Sequence, residues 1–352
     1  YMDRVPDSAA VDESVELVKK KRRQRAAGLV NAVLRRLSRE KERLPAIPAE
    51  DRAAYLTLRW SHPRWLVERL LALLGEEETE ALLALHNDSV PTAIQRNPLR
   101  CGREDLVERV TVSGGTLEAH PWMPDCWLLR SGGDLEAMPA FQEGLFQVQD
   151  AAARAAVLAA GPRPGDRVLD VCAAPGGKAF AAAMEMGDEG EITACDIHRH
   201  KLALIEKGAR RLGLRCIRAE LADGRQTREE WREAFDLVLC DVPCSGLGII
   251  RKKPDIRYKD PAALAGLPAV QGAILDNASR YVRPGGVLLY ATCTVLPEEN
   301  EGVTAAFLEK RRAFRKEPFT LPGPAGETEG SLTLWPQRHG TDGFYICKMR
   351  KL

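Results

Sequence analysis

The sequence predicts an α/β protein whose main part is a doubly wound parallel sheet, and three observations predict it. From about Gln149 onward, short apolar runs of strand length alternate with helical stretches, the rhythm of strand–helix–strand units covered on both faces. A glycine-rich loop follows the first of these runs. Acids or cysteines follow the others, and ligands of doubly wound sheets sit beyond the carboxyl ends of the strands.

Each element has its own signal. Val15 and Val18, then Ala26, Leu29, Val30, Val33, Leu34 and Leu37, recur at helical spacing between Val11 and Arg39, so GLVNAVLRRL is expected to be a helix with one buried face. Pro45 and Pro48 break that pattern and mark a linker. From Pro63 to Leu85 a second helical stretch is apolar at Trp65, Leu66, Leu70, Leu71, Leu74 and Leu82, interrupted near Gly75. After Pro91, the strand-like pieces TAIQRN and CWLLR surround a helix near Arg103 to Val110, a small α/β module ending near Pro139. An alanine-rich helix, Asp150 to Ala160, then opens the alternating region. Its strands are Arg167 to Val171, Glu191 to Cys195, Phe235 to Cys240 and Gly286 to Ala291. The chain therefore divides into residues 1–45, 50–140 and 141–352.

Composition narrows the classes. With 352 residues, 45% hydrophobic and 29% charged, the chain can build two or three ordinary globular cores. It has no uncharged apolar run of roughly 18 residues, so no membrane span is expected. Tyr1-Met2-Asp3-Arg4 has no signal-peptide character. Nine cysteines, an odd number without paired spacing, suit a reducing cytoplasm better than a disulfide framework. Six histidines and no C-x-x-C pair argue against a metal site. The net charge of +1 decides nothing about nucleic acid, but its distribution is uneven. Lys19, Lys20, Lys21, Arg22, Arg23 and Arg25 form a basic run, followed by Arg35, Arg36 and Arg39. Alone, such a run reads as a solvated helix face; an RNA substrate would make it a phosphate-binding face.

The chemistry lies at the strand ends. After the first strand comes Asp170-Val-Cys-Ala-Ala-Pro-Gly-Gly-Lys178, where Gly176 and Gly177 let backbone approach a ligand closely. The loop has neither the G-x-G-x-x-G of dinucleotide binders nor the G-x-x-x-x-G-K-[ST] of phosphate loops. A ligand without a pyrophosphate is expected, and S-adenosylmethionine fits. Asp196 follows the second strand, about 20 residues past the glycine loop, where a carboxylate accepts from a ribose diol. Asp223, in Ala222-Asp-Gly224, stands at the third strand end and could accept from an adenine amine. Beyond FDLVLC comes Asp241-Val-Pro-Cys244-Ser-Gly246, and beyond GVLLYA comes Thr292-Cys293-Thr294. A free cysteine is most often a small buried hydrophobe, which accounts for Cys101, Cys126, Cys195, Cys216 and Cys347. Cys172 and Cys240 read as packing beside the site. Packing does not account for an acid and two thiols on successive strand ends.

A methyltransferase needs a thiol when its target is carbon 5 of a pyrimidine. That carbon is a poor nucleophile until a thiolate adds to carbon 6 and converts the ring to an enamine. A carboxyl group near ring nitrogen 3 stabilises the charge this addition develops. Amino-methylating enzymes need neither, and the Asn-Pro-Pro-Tyr type of strand end that would suit them is absent.

The segments DVCAAPGGK, ACDIHRHKLALIEKGARRLGL, DVPCSGLGIIRKKPDIRY, YATCTVLPEENEGV and HGTDGFYI, spread over about Glu143 to Met349, resemble the Sun (RsmB-type) ribosomal-RNA cytosine carbon-5 methyltransferases. The resemblance implies a Rossmann-like methyltransferase domain with S-adenosylmethionine as cofactor and small-subunit ribosomal RNA as partner. It implies Cys293 as nucleophile, Cys244 as the residue that resolves the adduct, and Asp241 as the contact to the target base. The retained Lys178 counts with them among the catalytic residues, although Ala179 stands where the family often has threonine. The implied cofactor contacts are Cys172, Ala173, Ala174, Pro175, Gly176, Gly177, Lys178, Asp196, Asp223 and Asp241. YMDRVPDSAAVDESVELVKK and GLVNAVLRRL resemble the second half of a helical NusB-like RNA-binding domain, so residue 1 is expected to fall inside a partial domain. SHPRWLVERLL and the α/β module resemble the connecting region before the catalytic domain. An RNA partner gives the basic run Lys19 to Arg25 a reason to face phosphates, with Arg251, Lys252, Lys253 and Arg257 as second candidates. Three rival readings remain: the same chemistry on transfer RNA, which the NusB-like extension disfavours; a non-catalytic RNA-binding assembly factor, which altered T-C-T or P-C-S-G motifs would have favoured; and a nicotinamide-dependent oxidoreductase, which the missing G-x-G-x-x-G opposes.

Overall fold

A computed structural model describes residues 5–41, 46–131 and 133–352; the linker proline Pro45 lies outside them. The chain forms two compact units, Tyr1–Arg59 and Trp60–Leu352. The first contains α1 (Asp7–Lys20) and α2 (Gln24–Glu40), and α3 (Arg52–Trp60) closes it. Asp7 at the start of α1 accepts from Ser38 Oγ at 2.8 Å and Lys41 Nζ at 3.0 Å near the end of α2. The helical pattern is not continuous: it breaks at Lys21–Arg23, where Arg22 adopts φ 57°. The basic run is therefore the end of one helix, a turn and the start of the next rather than one helix face. Nor is the expected face of α2 buried. None of its residues is buried, and Leu29, Val33 and Leu37 are exposed, because α1 covers only part of the stripe.

In the second unit α4 (Arg64–Leu74) and α5 (Glu76–Leu85) are separated by Gly75, whose φ of 79° lets the chain turn there. Next comes a small antiparallel sheet. Its strands β1 (Thr92–Arg96), β2 (Thr116–Ala119), β3 (Cys126–Ser131) and β4 (Phe146–Val148) lie in the order β2-β3-β1-β4. Helices α6 (Arg103–Val112) and α7 (Pro139–Gln142) accompany it. Strand β4 pairs with β1 and buries Phe146 in the module's core, so the module extends past the boundary expected at residue 140. Pro139 starts a helical turn rather than ending a domain.

The alternating region begins with α8 (Ala151–Ala160), capped by Asp150, whose side chain accepts from the Ala152 N–H. In chain order there follow β5 (Arg167–Asp170), α9 (Gly177–Glu185), β6 (Glu191–Asp196), α10 (Arg199–Leu212), β7 (Ile217–Leu221) and β8 (Phe235–Asp241). Then come α11 (Pro261–Leu264), α12 (Leu267–Ala278), β9 (Val282–Thr292), α13 (Glu301–Lys310), β10 (Phe314–Lys316), β11 (Phe319–Leu321), β12 (Gly326–Thr328), β13 (Ser331–Leu334), α14 (Pro336–His339) and β14 (Phe344–Lys351). The large sheet has the order β10-β14-β9-β8-β5-β6-β7, with β13 on β14. Strands β9 to β7 are parallel, and β14 continues the sheet antiparallel to β9, with β10 and β13 antiparallel beyond it, an extension that periodicity did not reveal. Alternate residues of one strand enter opposite cores: Leu237 and Leu239 face one, Val238 the other. The chain leaves β5 toward β6 and β7, then returns to the other side for β8 and β9. That reversal opens a crevice between the ends of β5 and β8. Among the described residues no helix is long and apolar enough to cross a membrane.

Candidate active site

A cavity of about 430 Å³ runs along these strand ends, lined by Cys172, Ala174, Asp196, Asp223, Asp241, Cys244 and Cys293 among others. Its volume is that of a small-molecule site. A groove of about 440 Å³ between α12 and α13 is as large, but it contains no thiol and no carboxylate from a strand end, so the chemistry belongs to the first. Each acid owes its place to its strand. Asp170 ends β5, Asp196 ends β6, Asp241 ends β8, and Asp223 lies two residues beyond β7.

Of the glycine-rich loop, Val171, Cys172 and Ala174 reach the cavity wall; Ala173 is buried, and Pro175, Gly176 and Gly177 shape the turn into α9. A Cβ on Gly176 would strike the Phe180 ring, and its φ is 118°, so conformation and helix packing by themselves require glycine there. The Gly177 carbonyl accepts from Gln149 Nε2 at 2.8 Å and Gln147 Nε2 at 3.3 Å, which ties the loop to the chain leaving the small sheet.

Asp170, read from sequence only as the start of the loop, is fully buried. Neither of its oxygens has a well-formed hydrogen bond. Burial first, and the neighbouring Asp241 second, push its carboxyl up to about 7. Asp196 accepts from the His198 N–H at 2.8 Å and faces Lys201 Nζ at 3.7 Å. Asp223 is gripped by Arg225, with contacts of 3.0 and 2.7 Å to its two oxygens.

The two strand-end cysteines come together: Cys244 Sγ and Cys293 Sγ are 3.3 Å apart. Beside them Lys178 Nζ donates to Asp241 Oδ2 at 2.7 Å and lies 5.0 Å from the centre of the Phe344 ring. Burial opposes the ammonium, but Asp241 outweighs it and holds Lys178 above its ordinary value. The thiols are driven apart. The contact with Cys244, helped by Lys178, lowers Cys293 against burial and Asp241. The same contact and burial raise Cys244 well above the usual thiol.

Two of the second-rank RNA candidates are occupied elsewhere. Lys252 bridges Asp150 at 2.6 Å and Asp342 at 2.7 Å. Arg257 is buried and donates to the Ser61 carbonyl at 3.1 Å, Asn87 Oδ1 at 2.9 Å and the His86 carbonyl at 3.3 Å. Both stitch loops together rather than meeting phosphates. Arg251 is partly exposed and Lys253 exposed, as are all of Lys19 to Arg23 and Arg25, with Lys19 paired to Glu16. Asp150 lies outside the quoted segments, and Glu299 and Asp342 fall inside YATCTVLPEENEGV and HGTDGFYI without having been singled out there. Their signal was only position in or beside a motif, since what they hold is far away along the chain. Among the described residues no group of three or more His, Cys, Asp or Glu could hold a metal ion.

Carboxylates along one wall of a switch-point crevice and a thiol pair at its mouth suit a cofactor built on a nucleoside and a substrate that is a base: the fold and site define a methyltransferase. Similarity to known proteins specifies it further. The description "16S rRNA methyltransferase RsmB/F" matches residues 156–350, the NusB family matches 1–39, and a "Methyltr_RsmF/B-like, ferredoxin-like domain" matches 62–136. The chain belongs to the RsmB/F family of 16S rRNA methyltransferases. It is 36% identical over 366 residues to the "Probable ribosomal RNA small subunit methyltransferase B" of Bacillus subtilis (strain 168), covering 100% of this chain and 80% of that protein. It is 35% identical to the "Ribosomal RNA small subunit methyltransferase B" of Klebsiella pneumoniae, covering 99% and 78%. Among solved structures, that of PH0851 has a TM-score of 0.87 at 28% identity, covering 99% of this chain and 79% of that one. A methyltransferase homolog from Pyrococcus horikoshii has a TM-score of 0.72 at 27% identity, covering 84% and 98%.

Proposed function

We propose that this chain transfers a methyl group from S-adenosylmethionine to carbon 5 of a cytosine in small-subunit ribosomal RNA, with Cys293 as the nucleophile that activates the base. The thiol contact of 3.3 Å beside the Lys178–Asp241 pair carries the reading. S-adenosylmethionine, when bound, presents an electrophilic methyl on a sulfonium. The wall fits it: Asp196 stands where a ribose diol binds, Asp223 with Cys172 and Ala174 completes the lining, and behind it Asp170 is a buried carboxyl group with no good partner. A cofactor of net positive charge, bearing a sulfonium and an ammonium group, answers that concentration of acids.

At the base, Cys293 thiolate adds to carbon 6, and Lys178, held by Asp241, donates to the negative charge reaching ring nitrogen 3. Carbon 5 becomes nucleophilic and takes the methyl. Transfer of the carbon 5 proton to water then re-forms the 5,6 double bond and expels Cys293 as its thiolate. Cys244 keeps its proton and donates to the departing sulfur, which makes Cys293 a better leaving group. A base inside a duplex must be unstacked first, so a bulged or single-stranded target is expected. The turn Lys19–Arg25, with Arg251 and Lys253, supplies phosphate contacts. Nine free thiols suit work in a reducing cytoplasm.

Denaturing gels test the assignment. Cys244→Ala should trap a protein–RNA adduct that migrates slowly, and Cys293→Ala should form none while still binding cofactor. Wild-type turnover by Cys293→Ala would overturn the roles.

A further inference from the structure

A buried carboxylate that this mechanism does not use lies between the two cysteine turns. Glu299 is only 1% exposed and precedes α13. Its Oε2 accepts from the Ser245 backbone N–H at 2.8 Å and from Gln271 Nε2 at 2.9 Å, while its Oε1 accepts from Thr294 Oγ1 at 3.2 Å. Ser245 and Thr294 are the residues immediately after Cys244 and Cys293, and their hydroxyls meet at 2.7 Å. The clamp reaches both flanks of each cysteine. Gln271, from α12, also donates to the Pro243 carbonyl at 2.9 Å. Asn300 donates to the Thr294 carbonyl at 3.1 Å and accepts from Thr292 Oγ1 at 2.6 Å.

A carboxylate taken out of water is costly unless it is paired or fully hydrogen-bonded. No ion pair holds Glu299 among the described residues; three neutral donors do, and two of them belong to the cysteine turns. Carbonyl and hydroxyl contacts elsewhere would have fixed either turn singly. What Glu299 adds is a fixed distance between them and a negative charge near Cys244.

We propose that Glu299 is the positioning residue of the thiol pair: it fastens the Pro243–Ser245 turn to the Thr292–Thr294 turn so that Cys244 reaches Cys293, and its charge keeps Cys244 the donor of that contact. The charges around the pair are divided accordingly. Glu299 and Asp241 act on Cys244, after its bond to Cys293 and burial, to hold its proton. Lys178 acts on Cys293 in the opposite sense, while Asp241 and Asp342 oppose it. The inference rests on the reading of Cys293 as nucleophile and Cys244 as its partner.

Alkylation of the full chain by iodoacetamide, mapped peptide by peptide with neither cofactor nor RNA present, tests the clamp apart from activity. Wild-type protein should label Cys293 faster than Cys244 between pH 6 and 8. Glu299→Gln should slow Cys293 about tenfold at pH 7, the effect of a one-unit rise on the thiolate fraction, and erase the preference; Glu299→Asp should restore part of it. Should Glu299→Gln fail to fold, Gln271→Leu, which removes one donor from outside both turns, must shift labelling the same way by a smaller factor. Wild-type preference and pH profile in the folded variants would overturn the clamp. Faster labelling of Cys244 in the wild type would instead overturn the assignment of the nucleophile.

Discussion

Asp170 shows what a single side chain does to the pH behaviour of the whole chain. Folded, it holds its proton to about 7; unfolded, it releases it near about 4. Between those values the unfolded state binds fewer protons, so this group lowers stability as pH rises from about 4 through 7 and nothing further is lost above. The slope is on the order of 1 kcal/mol per pH unit. Asp170→Asn should therefore gain on the wild type between pH 5 and 7.5 in urea unfolding, and an equal gap at both ends would contradict the burial effect. A cationic cofactor reverses the sign. Calorimetric affinity for S-adenosylmethionine should rise through pH 7 in the wild type and lose that dependence in Asp170→Asn.

Between elements, close backbone approach sets the Cys293 turn. The Gly248 N–H donates to the Cys293 carbonyl at 3.0 Å, and the Gly248 carbonyl accepts from the Gly343 N–H at 2.8 Å. A Cβ on Gly248 would run into the Gly343 carbonyl. Gly248→Ala should lose about 1–3 kcal/mol of stability, as overpacking does, and slow single-turnover methylation far more than it weakens cofactor binding. A melting temperature and rate equal to wild type would show that the loop gives way freely. Arg257 makes the opposite case for a residue first read as an RNA contact. Its removal takes the donor from Asn87 Oδ1 and the His86 carbonyl and leaves the Ser61 carbonyl to Tyr258 Oη alone, and should cost about 2–4 kcal/mol in chemical denaturation, with the salt dependence of RNA binding unchanged.

Across the whole molecule, a net charge of +1 hides a local cationic turn. Replacing Lys20, Lys21, Arg23 and Arg25 with glutamine should make the plot of log affinity against log salt shallower by about 1 for each phosphate that the turn no longer neutralises. Cofactor affinity, measured alongside, should not move. A slope equal to wild type would assign RNA recognition to other surfaces, Arg251 and Lys253 first among them.

The sequence by itself determined the alternating strands, the end of the sheet that bears the chemistry and the two cysteines, because period, turn residues and strand-end motifs are all local signals. Asp196, Asp223, Asp241, Cys244 and Cys293 line one cavity as that pattern required. Only the tertiary structure decided what the remaining charged and polar groups face. Lys252 meets Asp342, 90 residues away, Arg257 meets Ser61 across 196, and Glu299 meets Ser245 across 54. Periodicity records which way a side chain leaves its own backbone. Which distant group it then meets is settled by packing, and so Gly176 proved to make room for Phe180, β4 joined a sheet beyond its expected boundary, and a carboxylate not singled out in the sequence came to lie between the two cysteine turns.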